Sequence, residues 1–231
     1  GAWWQENISI MNQDNPVRFA DFRLHPALNR GIQEAGFETP RPIQTQAIPA
    51  IIKGRDVLGL AQTGTGKTAA FGLPLVDRLV DPDGGPQALI LAPTRELALQ
   101  SAREIGRLGQ HRGIRTAAVY GGAPIERQVR ELEGGAQIVS GTPGRVLDHL
   151  KRGTLHGERL KILVLDEADH MFDMGFLPDI RRIVREVPRH RQTLMFSATM
   201  PREIAKLAQE ALRDPVTVQV GLTAPAETVS H

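Results

Sequence analysis

Val57-Leu58-Gly59-Leu60-Ala61-Gln62-Thr63-Gly64-Thr65-Gly66-Lys67-Thr68 carries three structural signals in one run. The first four residues are apolar or small and read as a short strand. Phe71, Leu73, Leu75, Val76 and Leu79 follow as a helix. Between them, Ala61–Thr68 is rich in glycine and threonine. Glycines let backbone N–H groups converge on the oxygens of a phosphate, and the start of the next helix adds its partial positive charge. Lys67 can then reach β- and γ-phosphates, and the Thr68 hydroxyl can ligate Mg²⁺. Ala61 stands where the strict form of this cradle has its first glycine, so the match is off by one residue. A plain Gly/Thr-rich turn is the competing reading, and the strand before and helix after it argue against that.

Outward from this run, short apolar stretches alternate with helical ones. Strands are expected at Val57–Leu60, Ala88–Ala92, Thr116–Tyr120, Gln137–Ser140, Ile162–Leu165, Thr193–Ser197 and Val216–Val220, with helices starting near Gly66, Arg95, Pro124, Gly144, Asp179 and Pro201. Ile180, Ile183, Val184 and Val187 keep a 3.6-residue period, as do Ile204, Leu207, Ala208, Ala211 and Leu212. Upstream, Pro26–Ala35 puts Leu28, Ile32 and Ala35 on one helical face. A turn-rich loop over Gly36–Pro42 leads to a second helix with Ile43, Ala47, Ile48, Ile51 and Ile52. Such alternation predicts an α/β fold, a parallel β-sheet flanked by helices on both faces. Its ligands should bind beyond the carboxyl ends of the strands.

The chain has 231 residues, 41% hydrophobic and 23% charged, which suits one large α/β domain. Residues 1–18 read as an N-terminal extension or tag remnant with Trp3 and Trp4 unexplained, 19–220 as the domain, and 221–231 as a linker stub. With no cysteine there is neither a disulfide framework nor a thiolate metal site, which fits a reducing cytoplasm. No apolar run approaches the ~18 residues of a membrane span, and the N-terminus lacks a secretory pattern. Net charge of +2 and a pI of 9.3 permit a polyanionic partner without demanding one.

Lys161-Ile162-Leu163-Val164-Leu165 is a second apolar strand, and it ends in Asp166-Glu167. A carboxylate there can hold Mg²⁺ through water, and its neighbour can polarise an attacking water. Asp166 is assigned to the metal and Glu167 to the general base. The competing reading is an acidic pair that favours the start of a helix.

Asp166-Glu167-Ala168-Asp169 spells the signature of the DEAD-box RNA helicases, and the chain from about Phe19 to Val220 resembles their N-terminal RecA-like P-loop domain, in its bacterial branch. His170 follows the tetrad, so this is not the DEAH variant. Gly36-Phe37-Glu38-Thr39-Pro40-Arg41-Pro42-Ile43-Gln44 is similar to the family's Q motif. The resemblance implies that Gln44 reads adenine, with Arg41 beside it and Phe19 as the stacking aromatic. It also implies that ATP and Mg²⁺ are the ligands of the Ala61–Thr68 cradle. Three further loops, Pro93-Thr94-Arg95, Gly121-Gly122 and Thr142-Pro143-Gly144-Arg145, are implied to bind the RNA sugar-phosphate backbone. Their small residues, helix starts and arginines suit phosphate, though each alone is also an ordinary strand-to-helix turn. Ser197-Ala198-Thr199 is implied to link ATP state to strand separation, with Asp169 as partner. Its hydroxyls would serve equally as a cap for the next helix.

The family works with two RecA-like domains, and the second supplies arginine fingers from a His-Arg-x-Gly-Arg pattern. After Thr199 no such pattern occurs here. The resemblance therefore implies one domain of a helicase, acting as a monomer away from membranes, nearly inactive until a second domain closes over the γ-phosphate. Two other readings stay open: an RNA-binding adaptor that never turns over ATP, and a different P-loop enzyme such as a small-molecule kinase. Asp81-Pro82-Asp83-Gly84 matches a GTPase-like pattern, but without an Asn-Lys-x-Asp guanine reader that reading is rejected. Arg181, Arg182, Arg185, Arg189 and Arg191 read as a solvated helix face rather than an extra nucleic-acid patch.

Overall fold

A computed structural model describes residues 17–79 and 84–220. Trp3 and Trp4, the turn from Asp81 and the 221–231 stub lie outside the described residues. Seven strands form one sheet: β1 (Val57–Leu60), β2 (Ala88–Leu91), β3 (Thr116–Val119), β4 (Ile138–Gly141), β5 (Ile162–Leu165), β6 (Gln192–Ser197) and β7 (Val216–Gln219). The spatial order is β3-β4-β2-β5-β6-β1-β7 and every pairing is parallel. The helices are α1 (Pro26–Glu34), α2 (Pro42–Ile52), α3 (Lys67–Arg78), α4 (Arg95–Leu108), α5 (Ile125–Glu133), α6 (Pro143–Arg152), α7 (Ala168–Asp173), α8 (Leu177–Glu186) and α9 (Arg202–Ala211).

The central strands are apolar on both faces because both are covered. In β2, Ala88 and Ile90 enter one hydrophobic cluster while Leu89 and Leu91 enter the other; in β5, Ile162 and Val164 part from Leu163 and Leu165 in the same way. The period of two thus splits each strand between two cores. One core holds α1, α2 and α3 around Leu28, Ile43 and Phe71; the other holds Val146, Ile180 and Leu207. Burying each such side chain contributes about 1.5–3 kcal/mol.

Register aligns the strand ends. Leu60 lies opposite Ser197, and Leu91 opposite both Gly141 and Leu165. The loops after six of these strands therefore emerge at one edge of the sheet.

Four details depart from the sequence reading. Ala35 is exposed, because it is the residue on which α1 ends and its N–H bonds back to the Gly31 carbonyl. Ile52 closes α2 and is also exposed. The short helix α7 carries no extended apolar period and was not expected. Arg191 is half-buried, donating to Thr193 Oγ1, Pro188 O and Ala211 O, so it is a staple and not part of a solvated face; Arg181 pairs with Glu203 and Glu210, while Arg182, Arg185 and Arg189 are exposed as expected.

Candidate functional site

Strand order sorts the motifs into two groups. The cradle follows β1, Ser197 ends β6 and Asp166 follows β5, and these strands are neighbours. Pro93-Thr94-Arg95 follows β2, Thr142–Arg145 follows β4 and Gly121-Gly122 follows β3, and those strands are neighbours too.

In the first group, Gly64 and Gly66 both have φ of 85°, a left-handed conformation that costs an L-residue. Ala61 is 1% exposed, has no positive φ and donates its N–H to Ser197 O at 3.1 Å. It simply continues β1, so a Cβ is tolerated where the strict motif has glycine. Lys67 opens α3 and is buried, with Nζ 2.9 Å from Asp166 Oδ1 and 3.7 Å from Glu167 Oε2. Thr63 Oγ1 donates to Glu167 Oε1 at 3.0 Å, and Thr65 Oγ1 to Gln62 O at 2.7 Å. Thr68 follows Lys67 in the first turn of α3.

Asp166 leaves β5 with its N–H on Leu91 O at 2.9 Å. Glu167 then takes φ 51°, ψ 56° before α7 begins. A non-glycine residue held there stores about 1–3 kcal/mol, a strain typical of functional turns. Burial pushes the Asp166 carboxyl above its ordinary value; the Lys67 ammonium opposes this. Asp166 Oδ1 and Glu167 Oε2 make no well-directed hydrogen bond, and the Lys67 ammonium lies beside both. Buried carboxylate oxygens so placed suit a hydrated divalent cation. Among the described residues no group of three or more His, Cys, Asp or Glu side chains could enclose a metal.

Gln44, 2% exposed, accepts from Arg41 N at 2.9 Å through Oε1 and donates from Nε2 to Gly66 O at 3.1 Å. Arg41 Nη1 donates to Gly64 O at 2.7 Å. Each amide atom of Gln44 keeps one further hydrogen-bonding position. A cavity of about 420 Å³ lies here, lined by Phe37, Thr39, Arg41, Gln44, Gly66 and Glu104 among others. Phe19 is buried behind Phe37, stacked on it with centroids 6.1 Å apart, and edge-on to Phe22. Phe37 therefore supplies the cavity's aromatic wall and Phe19 backs it. Glu104 escaped the sequence reading, since nothing in its helical period marks it. Burial raises its pKa, with Arg107 acting against the shift. Residues Ala35, Phe37 and Glu104 also line a groove of about 920 Å³ between α1 and α4.

Asp169 and the Ser197–Thr199 turn are joined as the sequence suggested. Asp169 Oδ2 accepts from Thr199 N at 3.1 Å and Thr199 Oγ1 at 2.9 Å; Ser197 Oγ accepts from Asp169 N at 3.3 Å and donates to Thr199 O at 2.7 Å.

In the second group, Thr94 caps α4 by accepting from Leu97 N at 3.2 Å. Arg95 lies 4.8 Å over the Tyr120 ring, a cation–π contact. Gly121, Gly122 and Gly144 are exposed, Pro143 is buried, and Arg145 Nη1 donates to Ala123 O at 3.0 Å. Three loops with backbone donors and two arginines thus share one exposed edge, apt for a chain of phosphates.

A family model described as DEAD/DEAH box helicase matches residues 41–207. The ATP-dependent RNA helicase CshA of Limosilactobacillus reuteri is 48% identical over 204 residues, 88% of this chain and 41% of that protein. The RNA helicase CrhR of a Synechocystis strain is 52% identical over 210 residues, 91% of this chain and 42% of that protein. A crystal structure of a DEAD box protein from the hyperthermophile Methanococcus jannaschii superposes with a TM-score of 0.85 at 41% identity, covering 88% of this chain and 56% of that one. The chain thus spans about two fifths of the length of these curated relatives, and the sheet is the RecA-like one expected.

Proposed function

The chain belongs to the DEAD/DEAH box helicase family, and from that premise we propose that it is the ATP-binding domain of an ATP-dependent RNA helicase. The observation that carries this is the convergence of Lys67, Asp166, Glu167 and Thr63 on the mouth of the cradle, one loop away from the Gln44 cavity. In this reading the backbone donors of Gln62–Thr68 and the Lys67 ammonium hold the phosphates. Lys67 gives up its bond to Asp166 for them. Thr68 and Asp166 hold Mg²⁺, which when bound neutralises phosphate charge. Glu167, released from Thr63, orients water for attack on the γ-phosphate. Gln44 reads adenine with its free amide positions, against Phe37 with Phe19 behind it and Arg41 at the rim. Asp169 with Ser197 and Thr199 relays the nucleotide state.

The edge built from Pro93, Thr94, Arg95, Gly121, Gly122, Thr142, Pro143, Gly144 and Arg145 takes the RNA backbone without reading its bases. A second RecA-like domain completes the site in the whole protein, and an arginine finger from it accounts for about 10³–10⁵ in rate. The setting is the cytoplasm and the working unit a monomer. Among the described residues no helix is long and apolar enough to cross a membrane.

The test is nucleotide competition, ATP against GTP with Mg²⁺, in wild type and Gln44→Ala. A good bidentate amide–adenine pair supplies about 1–3 kcal/mol of base discrimination, so wild type should prefer ATP by that margin and the variant should lose it. An unchanged preference in Gln44→Ala would overturn the adenine assignment. Rapid RNA-stimulated hydrolysis by the 231-residue chain alone would overturn the need for a second domain.

A further inference from the structure

The two arginines and the glycine pair that face the exposed edge sit on three separate loops, and something must hold those loops in mutual register. The side chain that does so belongs to none of them. Gln128, in the first turns of α5, is 3% exposed. Its Nε2 donates to Tyr120 O at 2.8 Å, fixing the backbone immediately before Gly121-Gly122. Its Oε1 accepts from Arg145 Nη1 at 3.2 Å, while the same Nη1 reaches Ala123 O just past the glycines. Oε1 also meets His149 Nε2 at 2.9 Å.

The orientation of this amide is dictated by its neighbours. A peptide carbonyl can only accept, and a guanidinium can only donate. Nitrogen must therefore face Tyr120 and oxygen must face Arg145. His149 must then carry a proton on Nε2, and its Nδ1 lies 2.7 Å from Thr154 Oγ1, whose hydroxyl also reaches His149 O at 3.2 Å. His149 is fully buried, which disfavours its charged form, and its ring closes the network beneath Gln128. Tyr120, whose carbonyl Gln128 holds, also presents its ring to Arg95. One amide thus touches two of the three loops and, through Tyr120, stands next to the third.

We infer that Gln128 is a positioning residue for RNA binding, setting Arg145 and the Gly121-Gly122 turn in the geometry that phosphates require. This rests on the RNA-backbone reading of that edge. A buried polar side chain satisfied at both ends by neighbouring loops specifies one arrangement, since any shift leaves a desolvated group unpaired.

The experiment uses the 231-residue chain, a fluorescent oligoadenylate RNA and two variants. Gln128→Met keeps the length and removes both hydrogen-bonding ends. Gln128→Glu keeps an acceptor for Arg145 and loses the donor to Tyr120. Melting temperature and ATP affinity report folding and the cradle. RNA affinity across a salt series and amide hydrogen exchange of the RNA-free chain report the positioning. Gln128→Met should weaken RNA binding about tenfold, 1.4 kcal/mol, and lower the salt slope by about 0.7 for one lost phosphate contact, at unchanged ATP affinity. Exchange at Gly121–Ala123 should speed up in both variants, while Gln128→Glu should keep the full slope because Arg145 stays held.

A folded Gln128→Met with wild-type RNA affinity, slope and exchange overturns the inference. Should Gln128→Met fail to fold, Gln128→Glu decides: unchanged exchange at Gly121–Ala123 overturns the inference. If wild type shows no salt-dependent RNA binding, the RNA reading falls; exchange still decides whether Gln128 holds the loops.

Discussion

Gly64→Ala and Gly66→Ala separate two functions of the cradle glycines. Both positions have φ of 85°, so an added Cβ costs each about 1–2 kcal/mol from the left-handed conformation alone. Their surroundings differ. A Cβ at Gly64 meets nothing within 4 Å, whereas one at Gly66 comes within 2.8 Å of both Arg41 Cδ and Gln44 Nε2. The exposed Arg41 stem can swing aside. Gln44 cannot, being buried and pinned by Arg41 N at 2.9 Å and Gly66 O at 3.1 Å. Displacing it breaks at least the second bond, about 1 kcal/mol net. Gly66→Ala should therefore destabilise the chain by about 2–3 kcal/mol in urea unfolding, against about 1–2 for Gly64→Ala. Both variants disturb the phosphate-facing backbone and should weaken ATP and GTP alike. Only Gly66→Ala should also erode the preference for ATP over GTP, because only it moves Gln44, the residue proposed to read adenine. Equal stability of the two variants, or an intact ATP preference in Gly66→Ala, would refute this coupling of cradle to base.

Three further outcomes follow from the same geometry. Burial, and then the Arg145 guanidinium, hold His149 below its ordinary 6.5; the unfolded chain takes up that proton while the fold refuses it, so stability is full above 6.5 and declines as pH falls below it. His149→Gln should flatten that decline in urea midpoints between pH 7 and about 5, and an identical slope would contradict the assignment. Thr199→Val removes the 2.9 Å hydroxyl bond to Asp169 but keeps the backbone one, so it should cost about 1 kcal/mol in unfolding and leave ATP affinity unchanged; a tenfold loss of ATP affinity would place Thr199 in the nucleotide site itself. Chelating divalent cations should weaken ATP binding in wild type and much less in Asp166→Asn, as read by calorimetry, and equal sensitivity would remove Asp166 from the metal's surroundings.

The parts legible in the sequence share one property: their chemistry is local. The cradle, Asp166-Glu167 and the Gln44 stretch each compress donor, acceptor and turn into a few consecutive residues, so spacing alone exposes them. Alternating strands and helices gave the doubly covered sheet for the same reason. What stayed hidden depends on neighbours that topology brings together. Gln128 looks like any residue of a charged helix until β3 lies beside β4 and sets Tyr120 against Arg145. Glu104 gains meaning only when α4 passes the cavity beside Gln44. Phe19 and Phe37 are equally aromatic in sequence, and only packing shows which one lines the cavity. Helix α7 follows a strained left-handed residue at Glu167, a conformation that no propensity favours.

Strand order also decides where the two halves of the site can communicate. The cradle, Asp166 and Ser197 sit on β1, β5 and β6, the other three loops on β2, β3 and β4, and the two sets of strands join where β2 pairs with β5. At the top of that pair Asp166 N–H bonds Leu91 O at 2.9 Å, and Leu91 lies two residues before Pro93. The Pro93–Arg95 loop therefore has a direct backbone path to the carboxylate that faces Lys67. Asp169, three residues on, holds Thr199 and Ser197 at the end of β6, which in turn lies against the cradle through Ala61 N–H on Ser197 O. Every link in that path is a bond between adjacent strands or loops. The β2–β5 seam, with Asp166 at its end, is where the proposed RNA edge and the proposed phosphate site share a backbone hydrogen bond.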